Sequence, residues 1–343
     1  MKKVAVLFGG AGNEYDVSLE SMASLMEHFP NDEFELIPVA IDKNLHWFIG
    51  DFTTKDVATN NWMYCDAKEV TLKMGGSLVI TDSNNEIQID LFFSLIHGTF
   101  GEDGKLQAYL TMNNCRYVGS DYVSSAIGFD KDLTHRLMSE AAIDMVNYIC
   151  LRKGDTYSFD EIVSTIGLPF IIKPAREGSS YGISVVSNQA EFDVAVNSAF
   201  TFDSKLVLET FIEGIEIGSA IIEYNDDYIL GVSDEIECHK TFFDYQAKYE
   251  FEDTKIHCPA RISKEVADKV KELTIAVFKG LECRGYARVD FFLTSDNRIV
   301  LNEINTVPGF TSHSRFPTMM KEAGYQFKDV IRLILKEALS SNE

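Results

Sequence analysis

The sequence predicts an α/β protein of two or three domains, and its 343 residues leave room for a large buried core. Three passages support this prediction, because each combines short apolar strands with polar turns. Residues 4–8 (VAVLF) precede a glycine turn and a helical pattern. Residues 89–98 (IDLFFSLIHG) again lead into a turn and a helix. Residues 288–293 (RVDFFL) and 298–305 (RIVLNEIN) are typical of two strands joined by a hairpin turn.

The predicted hairpin places ionisable side chains on one face. If residues 296–297 form a two-residue turn, Asp290 faces Glu303 and Arg288 faces Asn305. Side chains alternate along a strand, so these four would share a face. Opposed carboxylates repel unless a cation lies between them, and two carboxylates with a carboxamide suit a magnesium–phosphate site. The alternative is a solvated face of mixed charge, but the apolar residues of both strands favour a cleft.

The composition argues against several classes of partner. A formal charge of −22 disfavours nucleic acid or an anionic membrane surface, because phosphate binding needs clustered Lys and Arg. The six cysteines lie far apart without a CxxC motif, as expected in a reducing cytoplasm rather than for disulfides or zinc. No apolar run approaches the roughly 20 residues of a membrane-spanning helix, and the first strand is too short for a signal peptide. We therefore expect a cytoplasmic protein whose few basic residues could still bind ATP.

The first glycine turn, residues 9–18 (GGAGNEYDVS), predicts a phosphate or carboxylate site at a helix N-terminus. Gly10 and Gly12 have the GxG spacing of dinucleotide-binding proteins. Tyr15 occupies the third glycine position, so a dehydrogenase is only a weak alternative. Glu14 lies where the helix begins, and by itself it most simply complements the helix dipole.

One histidine and two lysines lie where a ligand could bind. His97 follows a buried strand, and it is either structural or a ligand. Lys131 begins a helix that Asp130 could cap, where it either binds an anion or is solvated. Lys173 ends a strand before the Gly/Ser-rich residues 178–182, which could cradle phosphates although they are not a Walker A loop. The alternative for that loop is a plain β-turn with a surface lysine.

Three further segments are typical of ligand sites. A strand reaches Glu209 and continues into residues 210–214, which could hold adenine and ribose. Residues 237–254 are long, polar and aromatic without a clean period, and such loops are usually functional or disordered. Their aromatic residues favour a closing lid. Residues 309–315 form a Gly/Ser/Thr loop before a helix, whose free amides can bind a carboxylate.

Seven motifs together resemble the D-alanine–D-alanine ligases of the ATP-grasp superfamily. In order they are GGAGNEYDVSLES, HGTFGEDGKLQ, DKDLTHRL, KPAREGSSYGIS, DYQAKY, ARVDFF and LNEINTVPGFTSHS. The resemblance implies a three-domain ATP-grasp fold with ATP held between two antiparallel sheets. It implies a Rossmann-like N-terminal substrate domain (1–122), a central ATP-grasp domain (123–212) and a C-terminal ATP-grasp domain with the lid and the magnesium site (213–343).

The resemblance also implies which residues bind ATP and metal. Those that would surround ATP are Lys131, Lys173, Ser180, Glu209, Phe211, Ile212, Glu216 and Lys248. Asp290, Glu303 and Asn305 would coordinate two Mg²⁺ ions, for which Mn²⁺ could substitute. These are the same three residues that the facing strands bring together.

In the implied reaction, a D-alanine carboxylate attacks the γ-phosphate of ATP, and the amine of a second amino acid then displaces phosphate from the acyl phosphate. The implied catalytic and substrate-binding residues are Glu14, His97, Ser179, Tyr249, Arg288 and, by the substrate carboxylate, Gly309 and Ser314. Glu14, Ser179 and Tyr249 would form a triad that orients the first D-alanine and ties the lid to the N-terminal helix. His97 and Arg288 would face the acyl phosphate and the developing negative charge.

One position departs from the pattern of most D-alanine–D-alanine ligases. Arg315 stands where those enzymes generally have an aliphatic residue, and it resembles the vancomycin-resistance ligases. Because the lid motif with Tyr249 is kept, Asp234, Phe243 and Arg315 together resemble the acceptor pocket of G-type D-alanine–D-serine ligases. We therefore expect D-serine as the acceptor, with D-alanine as the alternative, and the family suggests a homodimer. A non-catalytic ATP-binding module would need a broken metal set or triad, and neither is broken.

Overall fold

The computed structural model describes residues 1–238 and 254–340. Within them the chain is a mixed α/β protein with the ATP-grasp fold, whose strands form three successive sheets. The helices of this part are α1 (Tyr15–His28), α2 (Thr54–Ala58), α3 (Lys105–Met112), α4 (Tyr122–Phe129), α5 (Lys131–Glu140), α6 (Phe159–Ile166), α7 (Gln189–Ala199), α8 (Lys264–Gly280), α9 (Arg315–Glu322) and α10 (Phe327–Ser340). None of these helices has both the length and the apolar character needed to cross a membrane.

The first sheet is built on a strand that is buried on both faces. Its strands are β1 (Lys2–Gly9), β2 (Phe34–Ile41), β3 (Trp47–Ile49), β4 (Lys68–Lys73), β5 (Ser77–Ile80), β6 (Glu86–Gln88) and β7 (Leu91–Ser94), in the order β6-β5-β4-β3-β2-β1-β7. β1 pairs in parallel with β2 and β7, whereas the other pairings are antiparallel. The apolar run at residues 4–8 is fully buried, as a central parallel strand requires. Because β1 and β7 are parallel neighbours, their carboxyl ends bring the first glycine turn and His97 to the same edge of the sheet.

The second and third sheets are antiparallel. The second consists of β8 (Tyr148–Arg152), β9 (Phe170–Pro174), β10 (Ser184–Val186) and β11 (Lys205–Thr210), in the order β10-β9-β11-β8. The third consists of β12 (Gly214–Tyr224), β13 (Asp227–Leu230), β14 (Asp234–Cys238), β15 (Thr254–His257), β16 (Tyr286–Thr294) and β17 (Ile299–Asn305), in the order β15-β14-β12-β16-β17 with β13 paired to β12. Each sheet lies within one predicted domain, but the domain limits stay a prediction.

The hairpin of β16 and β17 confirms the predicted facing pairs, although the predicted turn is wrong. Arg288 pairs with Asn305, and Asp290 pairs with Glu303. The turn contains three residues, 295–297, because the Thr294 amide donates to the Arg298 carbonyl. Beyond the Asp290 pair the register shifts by one residue, so that β17 contains a bulge at residue 302. The bulge offsets the extra turn residue and restores the predicted register.

Candidate active site

Two adjoining cavities meet where the three sheets approach each other. The first, about 310 Å³ in volume, lies between the second and third sheets. The second, about 290 Å³, lies between that region and the glycine turns of the first sheet. Lys131, Glu177, Gly178, Ser179 and Glu303 line both cavities and form their common wall. The first cavity therefore occupies the position that the sequence predicted for ATP, and the second adjoins it.

Most residues expected at the nucleotide line the first cavity. Those in the described part of the chain are Lys131, Lys173, Ser180, Glu209, Phe211, Ile212 and Glu216. Lys173 is the second-last residue of β9 and Glu209 the second-last residue of β11, and the two neighbouring strands bring these side chains together. Lys173 Nζ lies 2.6 Å from Glu209 Oε2 and donates to Asn302 Oδ1 at 3.3 Å. The bulge in β17 thus places Asn302 in this cavity.

Glu209 is held between two nitrogen groups. Its Oε1 lies 2.9 Å from His135 Nε2, and its Oε2 lies against Lys173. Burial raises the pKa of Glu209, but the charge of Lys173 and the His135 contact outweigh it and lower the pKa to about 2. Sequence reasoning missed His135, although it lies four residues after Lys131 on α5 and hence on the same helix face.

The Glu209 pKa predicts a specific acid sensitivity. A carboxylate whose pKa falls on folding stabilises the protein above its unfolded pKa, near 4.5, and this stabilisation is lost as the pH falls toward about 2. We expect wild type to have a higher thermal midpoint than Glu209→Gln at neutral pH. Because glutamine does not titrate, the difference should shrink between about pH 6 and about pH 3. Calorimetric scans across this range check the prediction, and a constant difference would contradict it.

Lys131 is positioned by the start of α5. Its Nζ donates to the Glu177 carbonyl at 2.8 Å and lies 3.9 Å from Glu303 Oε2. Asp130 caps the helix by accepting from the Leu133 amide, and the buried Lys205 holds the cap through a contact of 2.6 Å. A lysine in the first helical turn opposes the helix dipole. Because Lys131 lines both cavities, the binding of an anion there is the expected reason for its presence.

Glu14 reaches across to the Gly/Ser-rich loop instead of capping its own helix. The Ser179 hydroxyl donates to Glu14 Oε1 at 2.5 Å, and no side-chain bond from Glu14 caps α1. The Glu14 carboxylate fills the space where a side chain at Gly98 or Gly178 would lie. The helix-dipole interpretation is therefore insufficient, because the structure shows a direct link between the first sheet and the loop. The third expected member of the triad, Tyr249, lies outside the described residues, as do Lys248 and Phe243.

His97 is buried behind the second cavity and is only 4% exposed. Its Nδ1 lies 2.8 Å from the Val307 carbonyl, and its Nε2 lies 3.0 Å from the Ser21 hydroxyl. Burial lowers the pKa of His97, but the adjacent Glu102 and the charge of Glu14 outweigh it, so the net pKa is raised. Sequence reasoning did not select Glu102, although it belongs to the same glycine-rich turn. His97 thus combines a structural role with a position at the cavity.

The facing residues of β16 and β17 form a compact charged group. Arg288 donates through Nε and Nη2 to the Asp290 carboxylate, and Asn305 Nδ2 donates to Asp290 Oδ2 at 3.1 Å. Two carboxylates and an amide oxygen are a donor set that suits Mg²⁺. Glu303 and Asn305 line the second cavity, whereas Asp290 lines neither cavity and is held by Arg288. Within the described ranges no three His, Cys, Asp or Glu side chains are grouped for a metal. The predicted set is consistent with this result because it contains only two carboxylates. The Asn305 amide and phosphate oxygens would complete the coordination of the ion.

Arg315 begins α9 and binds three carboxylates of the third sheet. Its Nε and Nη2 donate to Asp234 at 2.8 Å each, and its Nη1 donates to Glu216 at 2.8 Å. Its Nη2 also lies 3.3 Å from Asp290 Oδ1. Asp234 and Arg315, which the resemblance assigns to one pocket, are therefore in direct contact. Glu216 lines the first cavity, as expected for a residue beside ATP, and it also binds Arg315, so its role at the nucleotide stays a prediction.

The loop before α9 closes the second cavity. Gly309, Ser314 and Arg315 line it together with Arg288. The Ser314 hydroxyl accepts from the Thr311 amide at 3.1 Å, which orders the loop. A side chain at Gly309 would lie 3.2 Å from the Ser314 hydroxyl. Gly309, Ser314 and Arg315, which were expected at the substrate carboxylate and the acceptor, are thus neighbours in one cavity.

Comparison with known proteins agrees with this geometry. Family models described as the D-ala D-ala ligase N-terminus and C-terminus match residues 3–120 and 137–336. The chain belongs to the D-alanine–D-alanine ligase family. A D-alanine--D-alanine ligase of Oceanobacillus iheyensis is 36% identical to this ligase, over 100% of this chain and 96% of the relative.

Solved structures extend the comparison. The crystal structure of VanG D-Ala:D-Ser ligase from Enterococcus faecalis is 36% identical to this ligase, covers 98% of this chain and 99% of its own, and superposes with a TM-score of 0.91. The D-alanine-D-alanine ligase from Coxiella burnetii is 26% identical, over 99% and 95% of the two chains, with a TM-score of 0.87. Sequence and fold therefore agree on the family, while these relatives' names differ in the acceptor.

Proposed function

We propose that this ligase joins D-alanine to D-serine, with ATP as the phosphate donor. The D-alanine carboxylate attacks the γ-phosphorus, ADP leaves, and an acyl phosphate forms. The D-serine amine then attacks the acyl carbon, phosphate leaves, and the amine loses a proton. Several anionic groups must be brought together in this reaction, so positioning and electrostatics provide most of the catalysis.

The first cavity supports the ATP assignment. Lys173 and Lys131 are cations at its wall, and both lie near carboxylates that hold them in place. The loop containing Ser179 and Ser180 offers hydroxyls and backbone amides to phosphate oxygens. Asp290, Glu303 and Asn305 would hold Mg²⁺, which would neutralise phosphate charge there.

The second cavity supports the positions of the two amino acids. Glu14 and Ser179 lie at one end, where a D-alanine ammonium group would find a carboxylate. Arg288 and His97 are the cationic or polar groups beside the common wall, close to where negative charge develops during transfer. The loop with Gly309 and Ser314 would receive the carboxylate of the acceptor.

The observation that carries the choice of D-serine is the guanidinium of Arg315 at the wall of the second cavity. A guanidinium has five N–H groups, and hydrogen bonds with described residues use three of them, while Nη2 also lies 3.3 Å from Asp290 Oδ1. The second N–H of Nη1 has no contact among the described residues, and we assign it to the ligand. A site that offers a hydrogen bond to a hydroxyl leaves that donor unpaired when D-alanine binds, which favours D-serine.

The alternative is a D-alanine–D-alanine ligase of ordinary wall synthesis. The relative from Oceanobacillus iheyensis, which matches the whole chain, has that name. The two activities use the same nucleotide cavity and first substrate, so they differ only in the acceptor. A homodimer in the cytoplasm remains our expectation for either activity.

The deciding experiment is a competition between the two acceptors. Purified protein with ATP and Mg²⁺ is given D-alanine and D-serine at equal concentration near neutral pH, and the dipeptides are separated and quantified. We expect D-alanyl-D-serine to be the main product, because only D-serine pairs the remaining Arg315 donor. L-serine as the acceptor is the control and should give no dipeptide. A main product of D-alanyl-D-alanine would refute the D-serine assignment and favour the alternative.

A further inference from the structure

The Arg315 guanidinium lies over one glycine of the third sheet. Gly218 of β12 pairs with Asp234 of β14 on one side and with Asp290 of β16 on the other. Glu216, two residues earlier on β12, has its side chain on the same face. All three carboxylates contact Arg315. The carboxylates thus surround Gly218, and the guanidinium occupies the space above it.

The space above Gly218 exists because this residue has no side chain. A Cβ atom at Gly218 would lie 2.4 Å from Arg315 Nη2 and 2.4 Å from Asp234 Oδ1. It would also lie 3.2 Å from Arg315 Cζ. Carbon atoms pack against such groups at about 3.5–4.0 Å, so both side chains would have to move. Gly218 lies within a β-strand, so its backbone does not itself require glycine.

The guanidinium has little freedom to avoid such a clash. Asp234 is 1% exposed, and its Oδ1 also accepts from the Gly218 amide at 3.0 Å. This carboxylate is therefore tied to the strand directly beneath Arg315. A shift of the guanidinium would lengthen the paired bonds to Asp234 and the bond to Glu216 together. Its remaining N–H would move with it.

We propose that Gly218 is a specificity-determining residue for the acceptor. It acts through Arg315, by leaving the space in which the guanidinium is held against Asp234 and Glu216. The inference rests on the proposed function, since it explains how an arginine can be accommodated at the acceptor site. A side chain at position 218 and an ordered arginine at position 315 exclude each other.

The direct test is Gly218→Ala in the acceptor competition. We expect the ratio of D-alanyl-D-serine to D-alanyl-D-alanine to fall about tenfold, with KM for D-serine raised more than KM for ATP. Ser219→Ala is the matched control on the same strand. Its side chain points to the opposite face, and its hydroxyl has no hydrogen-bond partner among the described residues. This control should leave the product ratio within about twofold of wild type.

A double variant shows whether the effect passes through Arg315. Gly218→Ala should lower the ratio of D-alanyl-D-serine to D-alanyl-D-alanine in the wild-type background but leave it unchanged in an Arg315→Leu background. The reason is that the effects of substituting two residues in contact are not additive. An equal reduction in both backgrounds would overturn the inference. The inference would also be overturned if Gly218→Ala left the product ratio unchanged while Arg315→Leu changed it. The proposed function would be retained in that case. If Arg315→Leu itself has no effect on the ratio, the proposed role of Arg315 fails instead.

Thermal unfolding accompanies these assays. If Gly218→Ala alone fails to fold and the double variant folds, the clash with Arg315 is confirmed by that rescue. Failure of both to fold would mean that Gly218 serves the sheet itself, and the inference would be overturned. A folded Gly218→Ala protein proceeds to the product assay.

Discussion

Glu303→Gln is expected to lower kcat by about 10²–10³-fold, the typical loss for one preorganised electrostatic contact. Glu303 lines both cavities, and its Oε2 lies 3.9 Å from Lys131 Nζ. The substitution keeps the size of the side chain and removes its negative charge. If Glu303 holds Mg²⁺, glutamine should also raise the Mg²⁺ concentration needed for half-maximal activity. Phosphate release measured over a Mg²⁺ titration checks both expectations.

The matched control for this substitution is Glu272→Gln. The Glu272 side chain is 69% exposed on α8 and lines neither cavity, and its substitution makes the same change in net charge. We expect kcat and the Mg²⁺ dependence of this variant to match those of wild type. A Glu303→Gln enzyme with wild-type kcat and an unchanged Mg²⁺ midpoint would remove Glu303 from the proposed metal site.

Arg315→Leu is expected to move the product ratio toward D-alanyl-D-alanine by about tenfold or more. Leucine has no donor for the D-serine hydroxyl, and it leaves an apolar surface that a methyl group can contact. The same change leaves Asp234, which is 1% exposed, without its guanidinium. The free energy of unfolding should therefore fall as well, since a buried carboxylate without its partner is costly. The competition assay and a thermal scan measure the two effects separately.

Arg315→Lys separates charge from geometry. Lysine keeps the positive charge near Asp234 and Glu216, but it cannot make the paired bonds that the guanidinium makes. We expect the thermal midpoint of the lysine variant to lie between those of leucine and wild type, with most of the D-serine preference lost. A lysine enzyme with the wild-type product ratio would show that charge alone selects the acceptor.

The hairpin of β16 and β17 shows how far the sequence pattern could go. Alternation along the strands was enough to predict that Asp290 faces Glu303. The predicted two-residue turn was wrong. The predicted pairing of Asp290 with Glu303 is nevertheless correct, because the bulge at residue 302 offsets the longer turn. A bulge has no reliable sequence signal, since it depends on contacts with other parts of the fold. Here the bulge places the Asn302 side chain within hydrogen-bond distance of Lys173.

Contacts between distant segments are the part that sequence reasoning handled least well. Glu14 was most simply a helix-dipole residue until the structure placed Ser179, 165 positions away, against its carboxylate. His135 had no predicted role, yet it binds Glu209 across 74 positions. Glu216 was expected beside ATP by resemblance, and the structure adds a contact with Arg315, 99 positions away. Local patterns do not report such pairs, because each partner is unremarkable in its own segment.

The sequence by itself determined the α/β class, the family and the strands that carry Asp290 and Glu303, because periodicity and motif order are local properties of the chain. Only the tertiary structure decided which carboxylates surround Arg315 and why Gly218 must be small. These follow from three antiparallel strands and a helix start meeting at one point. The space above a strand belongs to the packed sheet rather than to any single residue, so no local pattern records it.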